Sequence, residues 1–391
     1  MATMYVPHPD SATSTPVAGQ TVICHECGLP VTVPLLISKQ KAHCPRCSFH
    51  LTTYRDHAHQ WVCALALTAL FFFIASLPFE FLAFTVNGQS HQIALLNSVE
   101  ILFAEDFAAL GLIQAIAILV LPGTILLSVL YLTLPLQFGK SWPNSTWVAR
   151  WVFRLLPWAM AEIFLIGTLV SLIKISSLAD IDIGPSFYAY VLFTLSMTIM
   201  LVYLDQHQLS VALKINTKHH IKPLQRSSSI QTTWALLFTA ILLYIPANFL
   251  PIMITTTLGQ AQPSTIIGGV VVLWQMGSYP IALIIFVASV LVPVAKLVIL
   301  CWLNLSVQQG HTAHHHERMI LYRFTEFIGR WSMIDVFVVA ILVSLIQLGN
   351  VMSIQPGYAA LAFCGVVITT MFAAINFDTR LIWQQEVQAH E

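Results

Sequence analysis

The sequence has 391 residues, of which 57% are apolar and only 9% are charged, and its formal net charge at pH 7 is zero. Soluble domains carry roughly 25% charged residues, so this composition excludes an ordinary soluble protein. The zero net charge also argues against a nucleic-acid-binding surface. Together with a mean hydropathy of +0.78, these values indicate a polytopic membrane protein.

The N-terminal region comes first in chain order. Residues 1–20 are rich in Pro, Ser, Thr and Ala, which predicts disorder. No apolar run before residue 61 has the length and position of a signal peptide.

Four cysteines then form two Cys-x-x-Cys pairs, Cys24/Cys27 and Cys44/Cys47, within a predicted domain at residues 21–55. Two such pairs, with β-prone residues between them on a short hairpin, are typical of a tetrahedral four-thiolate zinc site. Two disulfides are a less favoured alternative in a reducing compartment, and a redox pair lacks the βαβ context. A closed four-thiolate site leaves no open position for substrate, so we expect one structural Zn²⁺ ion, in a structural or docking role.

Long apolar windows follow, each near the roughly 20 residues that a membrane-spanning helix needs. They lie at about 61–82, 108–134, 155–176, 186–204, 232–254, 279–303, 331–349 and 357–377. Uncharged runs of this length do not recur in this way in soluble chains. Between the first two windows, an apolar stretch predicts a short interfacial helix.

Two of these windows are related in sequence. Residues 158–173 read WAMAEIFLIGTLVSLI and residues 331–346 read WSMIDVFVVAILVSLI, with Glu162 in the place of Asp335. A fixed offset between similar segments indicates an internal repeat. Four spans per repeat is an even number, so both repeats should enter the membrane in the same direction and be related by an axis along the membrane normal.

The predicted fold is therefore an all-α polytopic membrane protein, with two parallel four-helix transmembrane repeats and a small N-terminal zinc-ribbon (β) domain. The repeats are predicted at residues 56–205 and 232–391, joined by a cytoplasmic linker at 206–231. Lys and Arg concentrate in the N-terminal region, the linker and the loops on the same side, which assigns both termini to the cytoplasm.

Ionisable groups within spans mark candidate functional residues, because a charge at mid-membrane costs roughly 2.5–3.5 kcal/mol on insertion scales. Lys296 lies about 12 Å inside the sixth span at ~1.5 Å per residue, a depth comparable with that of Asp335 and Glu162. Ser289, Ser332 and Thr370 are polar neighbours on the same or adjoining spans. Together these six residues predict a polar transport network, and all of them except Glu162 lie in the second repeat. The alternatives are that Asp335 and Glu162 cap their helices and that Lys296 extends to the headgroups.

Several function classes fit such a chain. A transporter moving an amphiphile, with proton coupling through the buried polar groups, is favoured, and no enzymatic activity is expected. No G-x-x-x-x-G-K-[ST] motif is present, so the chain shows no ATP site. A membrane scaffold or stress-response protein, with the ribbon as a cytosolic docking module, is the alternative. A quinone-linked redox protein is disfavoured because no span carries paired haem-ligating histidines.

Long phrases along the chain resemble the paraquat-inducible protein A family. They include the cysteine ribbon, YIPANFLPIM, PSTIIGGVVVLW, GSYPIALIIFVASVLVPVAK, EFIGRWSMIDVF and NFDTRLIW. The resemblance implies a Gram-negative inner-membrane protein that loads or extracts phospholipid for a periplasmic conduit built from a mammalian-cell-entry-domain partner. It also implies an intramembrane polar network at Ser289, Lys296, Ser332, Thr370 and Glu162. One feature departs from the family pattern: the 206–231 linker has no cysteine, so a second ribbon is absent or without metal.

Overall fold

The computed structural model describes most of the chain. The described residues are 20–34, 36, 40–86, 89–104, 108–140, 142–175, 180–213, 226–257, 260–275, 277, 279–310, 314–345 and 352–383. They fall into two units, Met1–Asp56 and His57–Glu391. The predicted disordered N-terminus lies outside the described residues except for Gln20, and so do residues 214–225 of the predicted linker.

In the first unit, each cysteine pair lies in the turn of its own antiparallel hairpin. One hairpin joins β1 (Gln20–Ile23) to β2 (Pro30–Val33), and the other joins β3 (Lys41–His43) to β4 (His50–Thr53). The sequence predicted a single short hairpin carrying both pairs. The structure differs because each Cys-x-x-Cys turn brings its own two flanking strands together.

The second unit begins with alternating long helices and short strands. In chain order these are α1 (Ala58–Ala75), β5 (Glu80–Val86), β6 (Gln89–Ala94), α2 (Leu95–Ala104), α3 (Ala108–Ala115), a π-helical turn (Ile116–Val120), α4 (Leu121–Gln137), α5 (Ser145–Leu155), a 3₁₀ turn (Leu156–Trp158), α6 (Ala161–Ile175), β7 (Asp180–Ile183), α7 (Pro185–Tyr203) and α8 (Gln206–Ala212). The predicted interfacial helix corresponds to α2. The three strands form an antiparallel sheet in the order β6-β5-β7.

A similar series of elements then follows. It comprises α9 (Arg226–Phe249), β8 (Met253–Thr257), β9 (Gln260–Ser264), α10 (Ile266–Gln275), α11 (Tyr279–Phe286), a π-helical turn (Val287–Leu291), α12 (Val292–Gln308), α13 (His315–Trp331), α14 (Ile334–Leu345), β10 (Met352–Pro356), α15 (Tyr358–Asn376) and a 3₁₀ turn (Thr379–Ile382). The strands again form a three-stranded antiparallel sheet, in the order β10-β8-β9. The described ends of the predicted linker, residues 206–212 and 226–231, are helical.

Corresponding positions in the two series make the same local contacts. Asp205 accepts a hydrogen bond from the backbone N–H of His207 at 2.9 Å, and Asp378 accepts one from the N–H of Arg380 at 3.1 Å. Each aspartate thereby caps the short helical turn that follows a long helix. The recurrence of element order and capping supports the interpretation of an internal duplication.

Two glycines at corresponding positions each lie against a backbone carbonyl group. A Cβ atom at Gly184 would lie 2.0 Å from the carbonyl oxygen of Glu80, and one at Gly357 would lie 1.9 Å from that of Pro251. Both glycines also donate a backbone hydrogen bond, to Phe81 and Ile252 respectively. In each case the glycine lets the third strand enter the sheet just before a long helix.

We therefore expect Gly357→Ala to destabilise the membrane unit by about 3 kcal/mol, since backbone must shift to accept the methyl group. Gly269→Ala is a suitable control, because a Cβ atom there meets nothing within 4 Å. The thermal midpoint of the detergent-solubilised chain should fall for the first variant and hold or rise for the second. Equal midpoints for Gly357→Ala and the parent would contradict this reading of the contact.

Within the described residues, seven helical segments are long and apolar enough to cross a membrane. They are Ala58–Ala75, Ala108–Gln137, Ser145–Leu172, Pro185–Tyr203, Arg226–Phe249, Ala282–Gln308 and Tyr358–Asn376. They correspond to seven of the predicted spans, and the chain is a multi-pass membrane protein.

The predicted span at 331–349 is different. Its described helix, α14, has 12 residues, and the chain turns between Trp331 and Ile334 before the helix begins. Residues 346–351 lie outside the described part of the chain. The side chains from Val336 to Val343 are almost all buried, so α14 is surrounded by protein rather than lipid.

The related helices α6 and α14 pack against each other at the centre of the membrane unit. The rings of Phe164 and Phe337 meet edge to face, with centroids 5.6 Å apart. The hydroxyl of Ser171 donates to the carbonyl oxygen of Val338 at 3.5 Å. These helices contain the two similar sequence segments, so the two halves of the unit join through their corresponding helices.

Candidate functional site: a four-cysteine cluster and a charged intramembrane cavity

The four cysteines of the first unit converge on one point. Their sulfur atoms all lie within 4.8 Å of one another, and all four residues are buried. The Sγ atoms of Cys24 and Cys47 are 3.5 Å apart, and so are those of Cys27 and Cys44. No disulfide joins any of the seven cysteines, all of which are described. Each hairpin contributes two sulfurs, so the site needs both.

This arrangement fits a tetrahedral metal ion. Four thiolates at about 2.3 Å from a zinc ion have sulfur–sulfur separations near 3.8 Å, which the observed spacings bracket. In each turn a backbone N–H points back to the first cysteine: Gly28 donates to the carbonyl oxygen of Cys24, and Ser48 to that of Cys44, both at 2.9 Å. The four cysteines can therefore bind a metal ion without rearranging the hairpins.

The thiols influence one another in the cluster. A hydrogen bond from the Cys27 thiol lowers the pKa of Cys24 to about 5, and the same contact raises the pKa of Cys27. Burial raises the pKa of Cys47 to about 12. Metal binding must displace the protons that remain, so the affinity for metal should fall as pH falls.

The two turns differ at one residue that adopts a left-handed backbone conformation. Gly28 has φ +72° and Ser48 has φ +56°. We expect Ser48→Gly to stabilise the ribbon by about 0.5–1 kcal/mol. A residue with a side chain in the left-handed conformation costs roughly 1–2 kcal/mol, and glycine removes this strain. Part of the gain is offset because glycine loses more conformational entropy on folding.

The measurement is the chelator concentration that removes half of the metal from the purified chain. It should rise for Ser48→Gly and fall for Gly28→Ala, which introduces the same strain into the other turn. A lower chelator concentration for Ser48→Gly than for the parent would show that the serine hydroxyl, and not the backbone conformation, determines the stability of this turn.

Within the membrane unit, the most unusual group is Lys296 on α12. Its side chain is 2% exposed. Its Nζ atom has no hydrogen-bond partner among the described residues. A buried, unpartnered amine is costly, so its retention points to a role that involves a ligand.

Lys296 lines a cavity of about 310 Å³ between the two halves of the unit. The first half contributes Leu156, Pro157 and Leu201, and the second contributes Lys296, Thr325, Glu326, Gly329, Arg330, Met371, Ala374 and Ile375. Next to this wall, Trp158 and Phe372 join the halves with ring centroids 5.0 Å apart. The volume lies at the lower end of the roughly 300–1,000 Å³ typical of small-molecule pockets.

Gly329 explains how the lysine reaches this cavity. A Cβ atom at position 329 would lie 3.0 Å from Nζ of Lys296 and 3.3 Å from its Cε. Because Gly329 has no side chain, α13 leaves the space that the end of the Lys296 side chain occupies.

Two further charged residues of α13 line the same cavity. Glu326 and Arg330 are four residues apart, which places them on one face of the helix. Arg330 interacts electrostatically with Glu326 and with Glu162 of α6, in the other half of the unit. Among the described residues, the side chains of Glu326 and Arg330 form no hydrogen bond or close ion pair, and Arg323 also interacts electrostatically with the exposed Glu326. The cavity thus has two basic groups and one acidic group on its wall.

The predicted network residues have different surroundings. Ser289 and Ser332 are each 2% exposed, and the Ser332 hydroxyl has no partner among the described residues. Thr370 donates to the carbonyl oxygen of Val367 at 3.0 Å, so its donor is used within its own helix. Glu162 lies in the first turn of α6, as a capping residue would. The side chain of Asp335 lies outside the described residues, although its backbone is in α14.

Among the five predicted residues whose side chains are described, no hydrogen bond joins Lys296 to the others. Of these five, Lys296 alone lines the cavity, where its described neighbours include Glu326 and Arg330. In the sequence, Arg330 is recognisable only as a charge of the loop before the seventh apolar window, and Glu326 is not singled out. The i, i+3, i+4 spacing of Glu326, Gly329 and Arg330 was the available signal, since it places two charges beside a residue without a side chain.

The chain is similar to known proteins over most of its length. The family described as "Paraquat-inducible protein A" matches residues 59–213 and again residues 230–386. The "Intermembrane transport protein PqiA" of Escherichia coli (strain K12) is 38% identical, covering 96% of this chain and 98% of that protein. No solved structure gives a significant match.

Two more distant relatives also align over most of their length. The "Lipophilic envelope-spanning tunnel protein A" of Escherichia coli (strain K12) is 28% identical over 94% of this chain and 91% of its own. A "Probable intermembrane transport protein" of Haemophilus influenzae is 27% identical, with coverages of 92% and 95%. The family matches cover most of the chain, and the duplicated match agrees with the recurring order of elements. The chain belongs to the paraquat-inducible protein A family.

Proposed function

We propose that the protein is the inner-membrane subunit of an envelope lipid transport system, and that it binds phospholipid in the cavity between its two halves. The observation that carries this proposal is the buried, unpartnered amine of Lys296 on the wall of a cavity of about 310 Å³. An amine there can bind the phosphate that all phospholipids share. Relatives named as intermembrane transport proteins support the same role.

The apolar wall of the cavity suits the other part of a lipid. Leu156, Leu201, Met371 and Ile375 lie on the same cavity as the charged groups. An amphiphile can contact both the charged and the apolar parts of the wall, whereas an inorganic ion gains no favourable contact from the apolar part. This combination favours a lipid over a small polar solute, and a transporter over an enzyme.

The charge distribution supports an orientation. Leu201 and Ile375 are close to the ends of α7 and α15, which precede the Lys/Arg-containing segments assigned to the cytoplasm. The cavity would then lie in the cytoplasmic half of the inner membrane of a Gram-negative cell, with both termini cytoplasmic. Lipid would pass from it toward a periplasmic conduit with mammalian-cell-entry domains, or in the reverse direction.

Proton coupling is a further part of the proposal. Lys296, Glu162 and Asp335, with Ser289, Ser332 and Thr370, supply ionisable and polar groups within the membrane. A buried amine that alternates between lipid-bound and lipid-free states can exchange a proton as its surroundings change. Lipid transfer from liposomes that is insensitive to a pH gradient would contradict this part.

We infer that the ion in the four-cysteine cluster is Zn²⁺, because the donors are four thiolates in tetrahedral arrangement. All four positions are filled by protein, so the ion would stabilise the hairpins and take no part in lipid chemistry. The ribbon as a docking module is the basis of the alternative function, a membrane scaffold. Its compact, separate unit suits that role as well.

The test of the transport proposal is the phospholipid content of purified protein. We expect Lys296→Met to lose most of the phospholipid that copurifies with the parent chain, as counted by native mass spectrometry. Lys140→Met is the matched control, because Lys140 is exposed beyond the end of α4. Unchanged lipid content in Lys296→Met, with the protein folded, would favour the scaffold alternative.

A further inference from the structure

The signs of the charged groups on the cavity wall indicate which charges its ligand should carry. Lys296 and Arg330 are basic, Glu326 is acidic, and all three line one cavity. Within the described chain, the amine of Lys296 is buried and has no hydrogen-bond partner, whereas Glu326 is exposed and interacts electrostatically with Arg330 and Arg323. Charged groups in a low-dielectric site are stabilised by a partner of opposite charge. The buried Lys296 amine therefore requires an anionic partner, and a cationic group on the same ligand would be attracted by the Glu326 carboxylate.

We propose that the cavity selects phospholipids whose headgroup ends in a primary ammonium group, with the phosphate at Lys296 and Arg330 and the ammonium at Glu326. This inference rests on the proposed lipid-binding function of the same cavity. It assigns to Glu326 a specificity-determining role in addition to the phosphate-binding role of the basic residues.

The spacing on α13 matches such a headgroup. Glu326 and Arg330 are about one helical turn apart, or ~6 Å along the helix axis at ~1.5 Å per residue. A two-carbon ethanolamine spacer separates a phosphate from its ammonium by a comparable distance. Lys296 reaches the same wall through the gap at Gly329, which lies between the two charged residues in sequence.

The cavity wall also discriminates between ammonium groups. Among the described residues that line it, none is aromatic. Quaternary ammonium groups such as choline are recognised mainly by aromatic cages. A primary ammonium instead donates hydrogen bonds to a carboxylate, and Thr325 adds a second possible acceptor beside Glu326. The wall therefore favours ethanolamine over choline.

Glu326 also disfavours lipids whose headgroup carries a net negative charge. A glycerol headgroup offers no positive charge, so its binding would bring a phosphate close to the Glu326 carboxylate without a cationic group to contact that carboxylate. Like charges placed close together lower the affinity. The cavity volume of about 310 Å³ suits a headgroup and the start of the acyl chains, so the selection would act on the headgroup.

The experiment uses the delipidated full-length chain in detergent. It is titrated with phosphatidylethanolamine, phosphatidylcholine and phosphatidylglycerol of identical acyl chains, and binding is followed by native mass spectrometry. We expect phosphatidylethanolamine to bind on the order of tenfold more tightly than the other two. Glu326→Gln should reduce this preference to about twofold or less, whereas Glu326→Asp should retain most of it.

Glu317→Gln is the matched control, since Glu317 is an exposed residue of the same helix and does not line the cavity. It should leave the preference unchanged. Equal affinities for the three lipids in the parent chain, with binding that still depends on Lys296, would overturn the headgroup assignment and leave the proposed function standing. Binding of all three lipids that is insensitive to Lys296→Met would overturn both.

Discussion

Replacing Gly329 with valine should lower the affinity for phospholipid by on the order of tenfold or more, while the protein stays folded. The nearest atoms to a Cβ at this position belong to the end of the Lys296 side chain, at 3.0 and 3.3 Å. A valine would displace the flexible amine from the cavity wall and occupy part of the cavity itself. Because no backbone lies in the way, the cost to folding should be small compared with the cost to binding.

A titration of the delipidated chain with phosphatidylethanolamine measures this effect. Gly269→Val is the control, since a Cβ atom at Gly269 meets nothing within 4 Å and the residue does not line the cavity. The thermal midpoint of each variant, measured in parallel, separates lost binding from lost structure. Parent-like affinity in a folded Gly329→Val protein would mean that the position of the Lys296 amine is irrelevant to lipid binding.

Removal of a single cysteine thiol should abolish metal binding by the ribbon. In Cys44→Ser the cluster loses one of four ligands, and the hairpins lose the ion that joins them. Structural zinc contributes roughly 10–16 kcal/mol to folding in small zinc domains at pH 7, so a ribbon of this size should unfold without it. The membrane unit has its own extensive internal contacts and should keep its fold.

Metal content by elemental mass spectrometry tests this prediction. The parent should contain about one zinc ion per chain, as expected for a single tetrahedral site. Cys44→Ser should contain almost none, and Cys63→Ser, which alters a buried cysteine of α1, should match the parent. A full zinc complement in Cys44→Ser would rule out the four-cysteine site. The same measurement at decreasing pH should show metal loss, because the remaining thiols regain their protons.

Much of the architecture could be predicted because it depends on local patterns. Apolar length alone identified seven of the spanning segments, since a membrane helix needs only a long apolar run with few charges. The Cys-x-x-Cys spacing identified the cluster, because two short turns position four thiols with little help from the rest of the chain. The similarity of α6 and α14 indicated the duplication, although not that these two helices would pack together.

The strands were missed even though a local signal was present. Asn87-Gly88, a dipeptide typical of hairpin turns, lies between two runs that contain β-prone residues, Glu80–Val86 and Gln89–Ala94. The strong apolar background of the chain favoured a reading of these segments as loops. The window 331–349 also begins before α14, because the turn at Ser332 and Met333 that precedes the helix contains no proline or glycine.

The cavity could not be predicted because it depends on packing between elements far apart in the sequence. Lys296 was identified by its charge within a span. Its neighbours Glu326 and Arg330 were not, because they precede the next apolar window and looked like ordinary loop charges. Only the approach of α13 to α12, permitted by Gly329, brings the three groups to one wall.

We expect a phospholipid to occupy the cavity between the two halves and to be held there through Lys296. Photocrosslinking in cells tests it most directly, with a photoreactive residue at Leu201, which lines the cavity, or at Leu195, which is 55% exposed on the same helix. We predict phospholipid adducts at both positions, with only those at Leu201 lost when Lys296→Met is added. Adducts at Leu201 that persist at full yield in the Lys296→Met protein would contradict the account.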